Sequence, residues 1–349
     1  MFTARLIKWH QSENDRMMPW KGEKDPYKIW ISEIILQQTR VVQGLSYYNN
    51  FIEKFPTIEN LALAADEDVF KVWEGLGYYS RCRNVLITAR NIHNNLNGKF
   101  PSNFHDLLQL KGVGPYTAAA IASFAFDQSH AVVDGNVSRV LARYFGNYLP
   151  IDSSAGKKYF DLLAQELLYK KNPGLYNQAI MDFGATVCKP QNPSCEGCVM
   201  RKSCVAFKTG TTGLLPVKAK KLTKKTRWFT YFIFICGDSI LVNKRSKKDI
   251  WKDLFEFYLF ETDNTFKASP AKIRKWMEDQ LGIRRYELMD ISPVFKQTLT
   301  HQHLVGNFVQ IKLSNIPLSL SEMTVVRMTE ILSLSFPKFI NQYLEMYPL

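Results

Sequence analysis

The chain is 349 residues long, enough for two domains that each bury a core. Hydrophobic residues make up 46% and charged residues 22%, ordinary globular values that exclude a largely disordered chain. The formal charge of +13 is not ordinary, and it favours a polyanionic partner, nucleic acid ahead of an anionic membrane.

From Met1 to about Phe207 the pattern is mainly helical. The first strong start signal is Asp25-Pro26, an N-cap followed by proline in the first helical position. The helix is expected to run on through Ile29, Trp30, Ile34, Gln37 and Val41. Within it Glu33 stands among apolar residues, on a face shared with Trp30 and Gln37. Burial beside Trp30 would raise its pKa and keep it protonated near neutrality; a structural acid paired with an arginine is the plainer alternative. Helical stretches are expected around 66–76, 83–96, 103–110, 117–126, 137–145 and 157–169. Short Gly, Pro and Asn breaks separate them, as in a packed all-α domain.

Between two of these stretches lies Leu110-Lys111-Gly112-Val113-Gly114-Pro115-Tyr116-Thr117. Gly112 and Gly114 permit a tight turn with outward backbone N–H groups at the start of the next helix, a natural phosphate site. About 20 residues on, the apolar run Ala131-Val132-Val133 ends in Asp134-Gly135-Asn136 at the entry to a helix with apolar spacing at Val137, Val140, Leu141 and Tyr144. Asp134 or Asn136 can simply cap that helix. A helix terminus also helps keep a carboxylate ionised, so capping and chemistry are compatible. One raised and one lowered carboxyl is the pairing that separates acid from stabiliser in glycoside chemistry.

The cysteines follow, spaced Cys188-x6-Cys195-x2-Cys198-x5-Cys204. Four thiolates so placed suit an iron–sulfur cluster or tetrahedral zinc, although a zinc ribbon normally has two tight C-x2-C pairs and this run has one. Lys189, Arg201, Lys202 and Lys208 make the loop basic, and Cys82 and Cys236 stand alone as packing residues. Residues 209–226 form a linker, and 218–227 hold six basic residues and no acidic one. Thereafter the segments 228–236, 239–243, 254–260 and 305–313 are short and rich in aromatic and β-branched residues. Helix-like runs at 270–281 and 336–347 complete an α+β domain.

Glu33, the hairpin, Asp134 and the cysteine run occur in an order that closely resembles the helix–hairpin–helix glycosylases of the endonuclease III superfamily. Within it the chain is most similar to the MutY family of adenine DNA glycosylases, over about residues 5–207. Pro19-Trp20, Asp25-Pro26-Tyr27, Gln37-Gln38-Thr39 and the run Trp73-Glu74-Gly75-Leu76-Gly77-Tyr78-Tyr79-Ser80-Arg81 carry the same likeness. It implies a mainly α helix–hairpin–helix glycosylase domain over 1–208, with one [4Fe–4S] cluster held by Cys188, Cys195, Cys198 and Cys204 in the loop 188–204. The linker 209–226 would lead to an α+β Nudix-like 8-oxoguanine recognition domain over 227–349.

The implied activity is base-excision repair. Adenine mispaired with 8-oxoguanine or guanine in double-stranded DNA is flipped out of the duplex and its N-glycosidic bond is hydrolysed. Glu33 would protonate the base at N7, Asp134 would stabilise the oxocarbenium-like sugar, and Tyr116 and Asn136 would support Asp134. Gln38 and Tyr78 would wedge into the stack, with Thr39 and Leu76 lining or packing nearby, while Gly112, Val113 and Gly114 grip the backbone. Strand-cutting relatives place a lysine where Tyr116 stands, and a phenol cannot form a Schiff base, so a monofunctional enzyme is expected. In the C-terminal domain the family's Phe-Ser-His loop is Leu299-Thr300-His301, which keeps the hydroxyl and imidazole of the lesion sensor and loses the aromatic ring. The acidic Nudix catalytic run is lacking, since 270–282 offers only Glu278 and Asp279. With no apolar run near the roughly 18 residues of a spanning helix and no signal-peptide core, the expectation is a cytoplasmic, nucleoid-associated monomer of bacterial type, without a membrane partner.

Overall fold

The computed structural model describes residues 2–219 and 223–349. Helices α1 (Phe2–Ser12), α2 (Pro26–Leu36), α3 (Val41–Lys54), α4 (Ile58–Leu63), α5 (Asp66–Trp73) and α6 (Tyr79–Asn95) come first. They are followed by α7 (Phe104–Gln109), α8 (Pro115–Phe126), α9 (Gly135–Phe145), α10 (Ser154–Leu167), α11 (Pro173–Thr186) and the short α12 (Val205–Lys208). Strands β1 (Lys225–Cys236), β2 (Ser239–Lys244), β3 (Phe255–Glu256) and β4 (Tyr258–Thr262) then precede α13 (Pro270–Leu281). Strands β5 (Glu287–Ile291), β6 (Phe295–Thr298), β7 (Gln302–Leu313) and β8 (Thr324–Arg327) lead to α14 (Lys338–Met346). By contact, Met1–Leu63 and Arg83–Lys221 form one unit, and Ala64–Cys82 and Leu222–Leu349 form the other.

In the first unit α2 starts where the sequence places it, because Asp25 accepts from the Tyr27 amide at 2.9 Å and Pro26 fits the first turn. It does not continue to Val41. Gln37 turns extended, Gln38 enters the left-handed region at φ 57°, and a new helix begins at Val41. Helix α8 is apolar all round, with Thr117 through Ser123 buried, so it forms the centre against which α2, α7 and α11 pack. Phe2, Leu6, Trp9, Val140, Phe160, Ile180 and Phe183 build a neighbouring core from α1, α9, α10 and α11. The first part of the basic linker is fastened down rather than freely solvated: Leu215 is buried, the Ile151 amide donates to Val217 O at 3.0 Å, and the Ala219 amide donates to Asp152 at 2.8 Å. Residues 220–222 of that linker lie outside the described residues.

The second unit is built on a mixed sheet whose main path runs β3-β2-β1-β7-β5. Strands β1 and β7 pair in parallel from Lys225↔Gln302 to Cys236↔Leu313, and the other pairings are antiparallel. Alternation along β1 sends Phe232 and Phe234 to α13, where Phe232 stacks on Trp276 at 4.0 Å, and sends Phe229 and Tyr231 to α14. The strand expected over 254–260 is divided at Phe257, which is fully buried between β3 and β4. The tight turn Leu299–His301 joins β6 to β7, closed by the Leu299 amide on Gln302 O at 2.8 Å.

Candidate active site

A cavity of about 840 Å³ opens in the first unit, lined by the Ile29, Ser32, Glu33, Leu36 and Gln37 face of α2 and by the starts of α8 and α9. Glu33 is only 6% exposed. Burial raises its carboxyl to about 7, the Asp134 charge adds to the rise, and a hydrogen bond with Tyr116 opposes it. Its partner is therefore a phenol, not the arginine of a structural ion pair. Trp30 does not line the cavity; it packs against Phe100 at 5.5 Å. Tyr116, the second residue of α8, is held far above its usual range by burial and by both carboxyls, so the phenol keeps its proton. Its hydrogen bond is to Glu33, and its link with Asp134 is electrostatic.

Asp134 is the N-cap of α9: Oδ1 accepts from the Val137 amide at 2.7 Å and Oδ2 from Asn136 Nδ2 at 2.7 Å. A carboxyl group bonded by two N–H donors at a helix N-terminus caps the helix while it lines the cavity. Asn136 is oriented in turn by Arg139, whose Nη2 donates to Asn136 Oδ1 at 2.9 Å and to Gly184 O at 2.8 Å, while Nε donates to Cys188 O at 2.9 Å. A Cβ at Gly184 would come within 2.8 Å of Asn136 Cβ, so α11 can approach only with glycine there.

One turn further along α9, Arg143 donates to Lys189 O at 2.7 Å, Pro190 O at 3.0 Å and Leu215 O at 2.9 Å, and its Nη1 lies 3.6 Å from Cys188 Sγ. Cys188, Cys195, Cys198 and Cys204 border one small pocket with Val140, Phe183 and Phe207. Burial and the neighbouring sulfurs push the Cys198 thiol up to about 11 and raise Cys195 and Cys204 as well, while the Met200 amide donates to Cys198 Sγ at 3.3 Å. Four soft sulfur donors bordering one largely apolar pocket fit a thiolate-ligated centre. Among the described residues, no three His, Cys, Asp or Glu side chains are grouped for a single metal ion.

Several cavity residues carry no motif in the sequence reading. Asp182 is fully buried and accepts from Arg16 Nη1 and Asn14 Nδ2 at 2.8 Å and from Gln178 Nε2 at 3.1 Å, with Lys21 Nζ at 3.1 Å. It thereby holds Arg16, Lys21 and Gln178 on the cavity wall. The signal available for it is the one charged residue in helix α11, behind the Asn172-Pro173 start.

At the hairpin, Gly112 has φ 79°, and a Cβ there would meet Asn84 Cβ at 2.7 Å. Thr88 Oγ1 donates to Lys111 O at 2.8 Å, which pins the turn to α6. Gly112 and Gly114 are exposed, while the Val113 side chain is buried and leaves only its backbone for contact. Gln38 and Thr39 sit on the cavity lining, Gln38 exposed and Thr39 half-buried. In the second unit, the Tyr78 hydroxyl and Thr300 Oγ1 are hydrogen-bonded, and His301 is exposed beside them on the β6–β7 turn. Leu76 is 6% exposed and packs inward.

Residues 31–154 match the HhH-GPD superfamily base excision DNA repair proteins, and residues 230–346 match the NUDIX domain. The solved structure of a thermostable thymine-DNA glycosylase superposes on 60% of this chain and 95% of its own, with a TM-score of 0.55 and 31% identity. Fold and site together define a DNA glycosylase, a hydrolase of the helix–hairpin–helix class, followed by a Nudix-like domain. The adenine DNA glycosylase of Buchnera aphidicola subsp. Schizaphis graminum (strain Sg) is 36% identical over 264 residues, 75% of this chain and 76% of that protein. That of Buchnera aphidicola subsp. Baizongia pistaciae (strain Bp) is 32% identical over 324 residues, 90% and 87% of the two lengths. The chain belongs to the adenine DNA glycosylase family.

Proposed function

We propose that this enzyme removes adenine mispaired with 8-oxoguanine or guanine in duplex DNA, as a monofunctional glycosylase without strong lyase activity. The carrying observation is the pair of unlike carboxyls on one cavity: Glu33 buried and raised to about 7, Asp134 held by two N–H donors. With adenine flipped into the cavity, Glu33 gives its proton to N7 and the C1′–N9 bond breaks with its electron pair going to the base. Asp134 stabilises the cationic sugar, by charge or by transient covalent capture, and water then adds at C1′, losing its proton to Glu33. Tyr116 and Asn136 hold the two acids in place. Tyr116 has no amine to attack C1′, which supports hydrolysis over lyase chemistry.

The exposed Gly112–Gly114 turn and the basic surface suit phosphate contacts, with Gln38 and Tyr78 at the flipped site and Thr300 and His301 at the opposite base. Cys188, Cys195, Cys198 and Cys204 would hold one [4Fe–4S] cluster. When bound, the cluster cross-links the loop that Arg139 and Arg143 join to α9. The protein is read as a cytoplasmic, nucleoid-associated monomer; among the described residues no helix is long and apolar enough to cross a membrane.

The test is incubation with a duplex carrying adenine opposite 8-oxoguanine, with alkali to cut abasic sites and, in parallel, borohydride to trap adducts. Alkali-dependent product and no adduct formed at the excision rate are expected. Product no greater than that of Asp134→Asn would overturn the glycosylase reading, and adduct formed as fast as base loss would overturn the monofunctional one.

A further inference from the structure

The 64–82 segment is bonded to the rest of the second unit at two places that bear on the site, its tip and its root. At its tip, the Tyr78 hydroxyl is hydrogen-bonded to Thr300. At its root, Glu74 ends α5 and shares its carboxylate: Oε1 accepts from the Phe336 amide at 2.7 Å, and Oε2 from Lys71 Nζ at 2.7 Å. Lys71 Nζ also donates to Leu334 O at 3.0 Å. The Glu74 side chain is only 17% exposed, against 60% for Glu67 in the Lys244–Glu67 pair, so its carboxylate is the better shielded of the two.

The chain between root and tip is stiff. Trp73 Nε1 donates to Gly77 O at 3.2 Å, the Gly75 amide donates to the Tyr79 hydroxyl at 3.1 Å, and the Arg81 guanidinium lies 5.5 and 5.4 Å from the Trp73 and Tyr78 rings. Tyr78 itself sits at φ 47°, a conformation a tyrosine keeps only when its surroundings impose it. A shift at Glu74 is therefore carried to the Tyr78 hydroxyl instead of being absorbed in a flexible turn.

We infer that Glu74 and Lys71 are positioning residues for the base opposite adenine, acting through the Tyr78–Thr300 pair. This rests on the proposed role of Thr300 at the base opposite adenine, with Tyr78 hydrogen-bonded to it. The Glu33 and Asp134 cavity is lined by residues of the first unit, so loss of the clamp changes discrimination and spares the chemistry.

The experiment is single-turnover excision by the full-length holoenzyme on duplexes with adenine opposite 8-oxoguanine and opposite guanine. Glu74→Ala is expected to cut the preference for 8-oxoguanine about tenfold while leaving the guanine-mispair rate within about twofold, the scale of one lost charge-assisted hydrogen bond. Glu74→Gln keeps an acceptor for Phe336 and restores most of the preference. Added to Thr300→Ala, the Glu74→Ala change has no further effect on preference, because both act on one pair. Equal slowing on both duplexes, or independent effects that multiply in the double variant, overturns the inference. If Glu74→Ala does not fold, Lys71→Met carries the same comparison through the Leu334 contact. A wild type without preference, or a Thr300→Ala variant that keeps it, refutes the lesion-reading assignment itself; preference lost in Thr300→Ala but kept in the Glu74 and Lys71 variants refutes only the clamp.

Discussion

Glu33 works against stability. Its carboxyl titrates near 7 in the folded protein against an ordinary 4.5, so the native state holds a proton that the unfolded chain releases between these values. Stability is therefore highest below the unfolded value and falls as pH rises to about 7, by up to about 3 kcal/mol at one pKa unit per 1.36 kcal/mol. Glu33→Gln removes that loss. The variant is expected to resist urea better than wild type at pH 8 and about equally near pH 4, and an equal difference at both values would contradict the burial account. At this scale the sequence is legible where one residue conflicts with its neighbours, as an acid does in the apolar run of α2. It is less legible where partners are far apart. That Tyr116 bonds Glu33, and that Arg139 bonds Asn136, Gly184 and Cys188, depends on packing between helices that no local pattern encodes.

Helix α9 joins the proposed chemistry to the cysteine loop. Its first turn presents Asp134 and Asn136, and its second and third turns send Arg139 and Arg143 to the loop carbonyls. Arg139→Leu would leave Asn136 Oδ1, Gly184 O and Cys188 O without that donor, at a cost of about 3 kcal/mol or more for buried groups. The expected readouts are a lower denaturant midpoint, reduced bound iron and slower excision; a variant unchanged in all three would show that Arg139 is not a structural link. Capped starts are readable, as at Asp25-Pro26 and Asp134, because a capping side chain acts locally. Ends without such marks are not. The left-handed turn at Gln38 uses no glycine, and the division of 254–260 at Phe257 leaves an apolar run that reads as continuous. Strands β5, β6 and β8 are only four or five residues long and carry no apolar run to mark them in the sequence.

For the whole molecule, the charge of +13 is the property most directly tied to a nucleic-acid partner. Affinity for duplex DNA should fall by roughly 10³-fold or more between about 50 and 200 mM salt if six or more phosphates are neutralised. A flat response would contradict backbone binding. The two kinds of domain were legible from the change of pattern after Cys204, whereas the grouping of Ala64–Cys82 with the C-terminal unit was not. It depends on bonds such as Lys71 to Leu334, 263 positions apart in the chain. In the proposed reaction a protonated Glu33 and the Asp134 carboxyl together break the glycosidic bond of adenine. The most direct measurement is the pH dependence of single-turnover adenine excision opposite 8-oxoguanine, for wild type and Glu33→Gln. The wild-type rate is expected to decline above about pH 7 as Glu33 loses its proton, and Glu33→Gln to lose at least about 100-fold. A wild-type rate that rises through this range, or a Glu33→Gln variant that keeps the wild-type rate, would contradict that reaction.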